Sequence, residues 1–135
     1  MKFVRYFFLI LPFGYMGLIW YLSSHPQDHV IDTGLSYDST IKEALHLVEF
    51  ATLYVLWLLF FYGLGKLTPA TNKLSAFLAI AYGFLDEIHQ SFVPSRSATL
   101  IDLIKDTIGV LVCYIILKQI YKSQIEIKGS NNIEK

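Results

Sequence analysis

Long apolar runs separated by short polar stretches dominate this chain. The runs cover residues 3–22, 41–63, 74–92 and 100–121. Each has about 20 residues, the length that an α-helix needs to cross roughly 30 Å of hydrocarbon. In a soluble helix, charged residues would recur about every second turn, whereas here they collect mainly between the runs. The pattern predicts an all-α polytopic membrane protein with four transmembrane helices.

The polar stretches predict the connections between these helices. Residues 23–40 contain proline, glycine and several aspartates, so they are expected to form an irregular loop. The second run is expected to end before Pro69, and residues 94–99 are expected to form a tight turn. We predict one four-helix domain over residues 1–121, followed by a polar, frayed cytoplasmic tail over residues 122–135.

Basic residues next to the runs predict the orientation. They lie at the start of the chain, between the second and third runs, and at the end of the fourth run or beyond it: Lys2, Arg5, Lys66, Lys73, Lys118, Lys122 and Lys128. By the positive-inside rule, these three regions are cytoplasmic. Both termini are therefore expected in the cytoplasm, with the loop at 23–40 and the turn at 94–99 outside.

The first run has a second interpretation as a signal peptide, because basic residues precede it. Its apolar part is longer than that of a signal peptide. The bulky side chains of Trp20 and Tyr21 stand where small residues should precede a cleavage site. An uncleaved membrane anchor is the favoured interpretation, with these aromatic residues facing lipid or the headgroup belt.

Composition narrows the class of protein further. The 135 residues are 54% hydrophobic, with a mean hydropathy of +0.47, which makes a soluble bundle the weaker alternative. The formal net charge is zero, so no nucleic-acid partner is expected. A single cysteine, Cys113, excludes a disulfide framework or a cysteine zinc site within one chain.

Polar and ionisable residues also occur inside the runs, where a charge costs about 2.5 to 3.5 kcal/mol and usually serves a function. They lie near the predicted outer ends of the second, third and fourth runs: Lys42, His46, Glu49, Asp86, Glu87, His89, Gln90, Asp102 and Asp106. Three separate segments thus deliver polar side chains to one level of the membrane. We interpret this convergence as a candidate site at the outer face.

Two roles can be assigned within this group. A partly desolvated carboxylate beside histidine suits general acid/base chemistry, and a guanidinium binds phosphate through two parallel hydrogen bonds. The candidate catalytic residues are Glu87, His89, Glu49 and Asp106. The candidate substrate-binding residues are Arg96, His46, Gln90, Asp86, Asp102 and Lys42. No metal and no other cofactor is expected, because the histidines and carboxylates lack a tight spacing such as H-E-x-x-H.

Several candidates also have structural interpretations. Thr99 and Asp102 have the spacing of a helix capping box. Lys42 can extend to the membrane interface, and either histidine can be a hydrogen-bonded structural residue. Arg96 can anchor its turn to headgroups or pair with Glu87 or Asp102.

Two motifs carry a family resemblance. They are K-E-A-L-H-L-V-E-F-A-T-L-Y at 42–54 and Y-G-F-L-D-E-I-H-Q-S-F-V-P-S-R-S-A-T-L-I-D-L-I-K-D-T-I-G at 82–109. Together they resemble the VanZ-like family of bacterial membrane proteins, while the first run and the long loop match it only in hydropathy. The second motif is specific, because D-E-x-H-Q, P-x-R, D-x-x-x-D and G follow in order.

The resemblance implies a polytopic cell-membrane protein related to one that gives low-level resistance to the glycopeptide teicoplanin. By motif position, the recurring polar residues of the family fall on His46, Glu49, Asp86, Glu87, Gln90, Arg96, Asp102 and Asp106. Two positions depart from the family pattern. Ser95 stands where glycine is more usual, and Asp106 stands where many members carry asparagine.

Three functions remain open at this point. The favoured one is an enzyme or modifier that acts at the outer leaflet on a lipid-linked envelope component or an anionic headgroup. The second is a non-catalytic binder of glycopeptide or lipid. The third is a proton-coupled transporter, which with four spans and no inverted repeat would require a dimer. The expected partners are therefore membrane lipid, a lipid-linked precursor or a glycopeptide, and the sequence predicts no oligomeric state.

Overall fold

The computed structural model describes the backbone of residues 2–25, 38–94, 96 and 99–130, and the side chains of 5–25, 44–45, 47–94, 96 and 99–121. Within these ranges the chain has four helices and no strand. The helices are α1 (Lys2–Ser23), α2 (Asp38–Gly63), α3 (Pro69–Ser91) and α4 (Leu100–Ser130). The predicted all-α class is confirmed, whereas the four membrane spans and the orientation remain predictions.

Three helix boundaries differ from the expected ones by three residues or more. The start of α2 is at Asp38 instead of 41, although α2 ends at Gly63 as predicted. Pro69, expected in the connection, is the first residue of α3, which begins five residues before the expected position 74. Proline suits this position because its fixed φ is helical and the first turn needs no N–H donor. In addition, α4 continues through residues 122–130, part of the expected frayed tail, because neither proline nor glycine occurs in residues 122–128.

The connection between α2 and α3 is a tight, fully capped turn. The N–H of Lys66 donates to the carbonyl of Phe61 at 2.9 Å, with Gly65 at a φ of +69° just before it. This is the Schellman arrangement, in which glycine accepts the left-handed conformation. Thr68 then caps α3 by accepting a hydrogen bond from the N–H of Thr71 at 3.2 Å. The two helices are therefore fixed as an antiparallel pair.

The two central helices, α2 and α3, hold the bundle together. Each packs against the other and against both α1 and α4, while α1 and α4 make no contact in the described part of the chain. The buried apolar core is supplied by all four helices and consists of Ile19, Phe50, Leu53, Tyr54, Trp57, Ala76, Ala79, Tyr82 and Val110. A Cβ at Gly109 would collide with the carbonyl oxygen of Leu47, so α2 and α4 meet with their backbones almost in contact.

Polarity is inverted relative to a soluble protein. Large apolar side chains lie on the surface, among them Ile10, Phe77 and Ile115 at 67%, 66% and 51% exposed, while Asp86 and Asp106 are 2% and 3% exposed. A soluble domain rarely presents apolar surface of this extent, and a buried carboxylate requires hydrogen-bonding neighbours. The exterior of the bundle is therefore suited to an apolar surrounding.

One helix segment among the described residues is both long and apolar enough to cross a membrane. It covers Arg5–Ser23, and only 17% of its most apolar window is buried inside the bundle. This low burial distinguishes it from the core helix of a soluble protein, although a signal sequence would occupy the same N-terminal position. Leu47–Gly63 in α2 is a shorter apolar segment.

Candidate functional site

A buried carboxylate joins the ends of α1 and α3. The hydroxyl of Ser23 donates to Asp86 Oδ2 at 2.8 Å, and Gln90 Nε2 donates to the same oxygen at 2.6 Å and to Ser23 Oγ at 3.3 Å. All three side chains are buried. We refer to Ser23, Asp86 and Gln90 as the α1–α3 clasp.

The helical spacing of α3 explains why these groups meet. Tyr82, Asp86 and Gln90 are four residues apart and share one face, as predicted. The hydroxyl of Tyr82 donates to the carbonyl of Met16 at 2.6 Å, one turn below the clasp. This face of α3 therefore points at α1, a partner that the sequence did not predict.

Arg96, in the turn between α3 and α4, closes the end of α1. Its Nε donates to the carbonyl of His25 and its Nη2 to the carbonyl of Leu22, both at 3.0 Å. The last carbonyls of a helix lack internal partners and carry partial negative charge, so a guanidinium satisfies and stabilises them. Arg96 is also within electrostatic range of Asp86. These hydrogen bonds replace the pairing with Glu87 or Asp102 that the sequence left open.

His89 lies beside the clasp and contacts α1 in two ways. Its ring stacks on Trp20 with centroids 3.8 Å apart and planes 22° apart, and its Nε2 is 2.9 Å from Ser24 Oγ. The stacking corrects the expectation that Trp20 only faces lipid. The single hydroxyl hydrogen of Ser24 is donated to the Trp20 carbonyl at 2.7 Å, so the hydrogen between His89 and Ser24 must be on Nε2. His89 is therefore not placed as a base for Ser24.

His25 presents a similar ring one turn after Tyr21. Its Nδ1 lies 2.7 Å from the carbonyl of Tyr21, and because a carbonyl only accepts, Nδ1 carries the hydrogen. The neutral ring then has an acceptor at Nε2, as His89 has at Nδ1. Two imidazole acceptors thus lie at the same end of the bundle.

The polar residues at and just beyond the end of α1 were missed from the sequence. Ser23, Ser24 and His25 follow the first apolar run directly and lie in the stretch 23–40 that the pattern predicts as a loop. The only signal was the abrupt change from apolar to polar at the end of a helix, which does not reveal the partner helix. Three-dimensional contacts were needed to find them.

The acids Glu87 and Asp106 lie where α3 faces α2 and α4. A Cβ at Gly83 would be 3.4 Å from the Phe50 ring and 3.7 Å from Asp106 Cβ, so this face of α3 packs on α2 and α4. Glu87 is four residues after Gly83 and shares that face. Both acids are buried, at 9% and 3% exposed, and both have interaction partners.

Glu49 is the candidate acidic residue that α2 contributes to the site. It is half-buried and lies within electrostatic range of Tyr15 and Tyr82. Asp106 faces Gly83, which precedes Asp86 by three residues, so the level of Asp106 is about 4.5 Å deeper than the clasp at 1.5 Å per residue. The predicted convergence therefore takes the form of two layers, the clasp with Arg96 and His89 above, and Glu49 with Asp106 below.

Asp102 belongs to a local structure at the start of α4. Its N–H donates to Thr99 Oγ1 at 3.3 Å, the Thr99 hydroxyl donates back to its carboxylate at 2.6 Å, and Lys105 Nζ lies 3.6 Å away. The capping interpretation is confirmed, and the structure does not bring Asp102 to the clasp. The predictions for the side chains of Lys42 and His46 lie outside the described residues.

In the described part of the chain, no three histidine, cysteine, aspartate or glutamate side chains are grouped so that they could hold a metal ion.

Comparison with curated proteins found no match, and neither did comparison with solved structures.

The fold and site together define a helical bundle with an apolar exterior and a polar interior at one end. The profile of the family described as VanZ/LLP1 matches residues 2–122. The chain therefore belongs to the VanZ/LLP1 family, as its motifs indicated, and the match extends to α1. At the level of the family, membership implies a membrane protein linked to glycopeptide resistance.

Proposed function

We propose that all four helices span the cell membrane, with both termini in the cytoplasm and the clasp on the outer side. At 1.5 Å per residue the helices are about 33 to 46 Å long, enough to cross about 30 Å of hydrocarbon. Each presents large apolar side chains to the surroundings, for example Ile10, Val48, Phe77 and Ile115. The basic residues beside the helices support the orientation.

Cysteine labelling tests this topology. In a Cys113→Ser background, a membrane-impermeant maleimide added to intact cells is expected to label Phe92→Cys, because Phe92 is 81% exposed at the clasp end. Lys66→Cys and Tyr121→Cys are expected to react only after permeabilisation. Labelling of all three in intact cells, or of none, would contradict the topology.

We further propose that the clasp end binds and acts on a phosphate-bearing, lipid-linked envelope component in the outer leaflet. The supporting observation is that buried polar groups concentrate at one end of an otherwise apolar bundle, where each charge carries a cost that function usually explains. Asp86, Gln90 and Arg96 hold the helix ends in place. Glu87 and His89 are the candidates for proton transfer.

The test compares lipids and cell-wall precursors by mass spectrometry in cells that lack the protein and in cells with equal membrane amounts of wild type or variants. Wild type is expected to change at least one phosphate-bearing species and to reduce teicoplanin susceptibility, and Glu87→Gln is expected to lose both effects. Ser91→Ala is the control, because the exposed Ser91 hydroxyl donates to the carbonyl of Ile88 within its own helix. Identical profiles in all strains would argue against this function.

A non-catalytic binder is the second candidate, and the structural hydrogen bonds within the site favour it. Asp86 Oδ2 already accepts two hydrogen bonds, Arg96 already donates two, and His89 is stacked and bonded. Groups held in such hydrogen bonds position the helices and are less available to react with a substrate. Stoichiometric binding of teicoplanin by the purified protein, with the ligand recovered unchanged, would support this candidate, and no binding at micromolar concentration would remove it.

A further inference from the structure

An open groove of about 610 Å³ runs between α2 and α4, beside the polar layers. Its walls come from two helices that meet closely at Gly109. The lining residues are Leu47, Val48, Ala51, Thr52, Val55, Ile108, Gly109, Val112, Cys113 and Ile116. The volume lies within the range of roughly 300 to 1,000 Å³ that is usual for ligand sites.

The groove offers almost no hydrogen bonds to an occupant. The hydroxyl of Thr52 donates to the carbonyl of Val48 at 2.7 Å, so its hydrogen is already used. Apart from the thiol of Cys113, the remaining lining side chains are hydrocarbon, and Gly109 has none. An apolar, unbranched occupant therefore suits this surface.

A cation lies above the groove on the same face of α4. Lys105 precedes Gly109 by four residues, and its Nζ reaches toward the start of α4, 3.6 Å from Asp102 Oδ1. From Lys105 to Ile116 is eleven residues, about 16 Å along the helix, or roughly half of the 30 Å hydrocarbon thickness. The groove and its cation thus match the depth of a single leaflet.

We infer that the groove binds one hydrocarbon chain of a phosphate-bearing lipid of the outer leaflet, with the phosphate at Lys105. This inference rests on the proposed function and names how the lipid is held. Such a lipid is favoured over a second copy of the chain, because its phosphate would complement the positive charge of Lys105 at the end of the groove.

The single cysteine allows a direct test, because Cys113 lines the groove. In delipidated protein in detergent, adding phosphatidylglycerol is expected to slow alkylation of Cys113 by N-ethylmaleimide at least threefold. Ile115→Cys in a Cys113→Ser background is the matched control on the exposed side of α4, and its rate is expected to change less than twofold. Ala51→Phe, which fills the groove, is expected to slow alkylation without lipid and to abolish the further effect of lipid.

Headgroup recognition is tested in the same assay. Phosphatidylglycerol is expected to protect Cys113 at several-fold lower concentration than diacylglycerol, which lacks the phosphate. Lys105→Gln is expected to remove that difference. Equal potency of the two lipids in the wild-type protein would overturn the role of Lys105.

Two other outcomes would overturn the groove itself. Equal slowing at Cys113 and at Ile115→Cys would show a general effect of lipid on the micelle. Protection that rises with protein concentration in the absence of lipid would show that a second copy occupies the groove. This assay measures occupancy of the groove in purified protein, whereas the proposed function is tested in cells. A failure of one can therefore be distinguished from a failure of the other.

Discussion

Asp86 carries the largest electrostatic cost of any single residue in the clasp. It is 2% exposed, its Oδ2 accepts two hydrogen bonds, and its Oδ1 has no hydrogen-bond partner among the described residues. A buried hydrogen bond matters mainly because a donor or acceptor that loses its partner in the interior is costly. The donors of Ser23 and Gln90 therefore determine what a substitution at this position does.

Asp86→Ala is expected to leave both donors without an acceptor and to lower the free energy of unfolding by about 2 to 6 kcal/mol, at roughly 1 to 3 kcal/mol for each group. Asp86→Asn keeps one oxygen that can accept both hydrogen bonds and is expected to cost less than about 1 kcal/mol. Unfolding by sodium dodecyl sulfate in mixed micelles, followed by circular dichroism, measures both. An equal loss in the two variants would contradict this account.

Gly109 sets the distance between α2 and α4. Gly109→Ala is expected to lower the free energy of unfolding by about 1 to 3 kcal/mol, because the new methyl group would force apart backbones that cannot yield. Gly17→Ala is the matched control in α1, since a Cβ there would meet nothing within 4 Å. It is expected to be neutral or to stabilise the helix by up to about 1 kcal/mol. The same micelle assay distinguishes the two, and similar values for both would show that the close approach is unimportant.

At the scale of helices, the end of α1 depends on a residue far along the chain. Arg96 supplies two hydrogen bonds to carbonyls of the last turn and the residues just beyond it, and the clasp supplies a third link. Helix ends otherwise fray, because their last carbonyls have no partner within the helix. The structure of this end is therefore a property of α1, α3 and the following turn together.

Arg96→Met is expected to make amide hydrogens at residues 20–25 exchange about tenfold faster or more. Each lost bond to a charged donor is worth roughly 1.5 to 3 kcal/mol, and about 1.4 kcal/mol corresponds to a factor of ten. Hydrogen exchange read by mass spectrometry gives the rates. Lys105→Met is the control, because Lys105 pairs with Asp102 on its own helix. No acceleration at the end of α1 would show that Arg96 is not its cap.

The sequence predicted the helices better than it predicted their partners. Apolar run length located all four helices, and residue spacing placed Tyr82, Asp86 and Gln90 on one face. The contact of that face with α1 could not be predicted, because periodicity defines the face of one helix and not the neighbour that it meets. The capping of α1 by Arg96 was missed for the same reason, since its acceptors are backbone carbonyls, which every sequence has.

At the scale of the whole molecule, the effect of substitutions on the exterior depends on whether water or lipid surrounds it. On a water-exposed helix surface, most substitutions change stability by less than about 0.5 kcal/mol. In a bilayer, an arginine near the centre of a spanning helix costs about 2.5 to 3.5 kcal/mol of insertion free energy. Replacing an exposed apolar side chain of α4 by arginine therefore tests whether the helix lies in a membrane or in water.

Leu111→Arg is expected to reduce strongly the amount of protein recovered in the membrane fraction, because Leu111 is exposed near the middle of the proposed fourth span. Gln119→Arg, about two turns nearer the proposed cytoplasmic side, is the matched control and is expected to leave recovery unchanged, since its side chain reaches the headgroups. Quantitative immunoblotting of membrane and soluble fractions measures both. Equal recovery of the two variants would argue that α4 does not span.

The clasp also has a consequence for biogenesis. Ser23 is synthesised 63 residues before Asp86, the carboxylate to which it donates. In the proposed topology, α1 is already in the bilayer when the translocon releases the third helix with its two adjacent acids. The ribosome therefore presents a hydrogen-bond donor before it delivers the charge that needs one, and Gln90 follows four residues later from the same helix. Moving the segment of α1 to the C-terminus by circular permutation would reverse the order in which Ser23 and Asp86 are synthesised, while the contacts of the folded protein could still form.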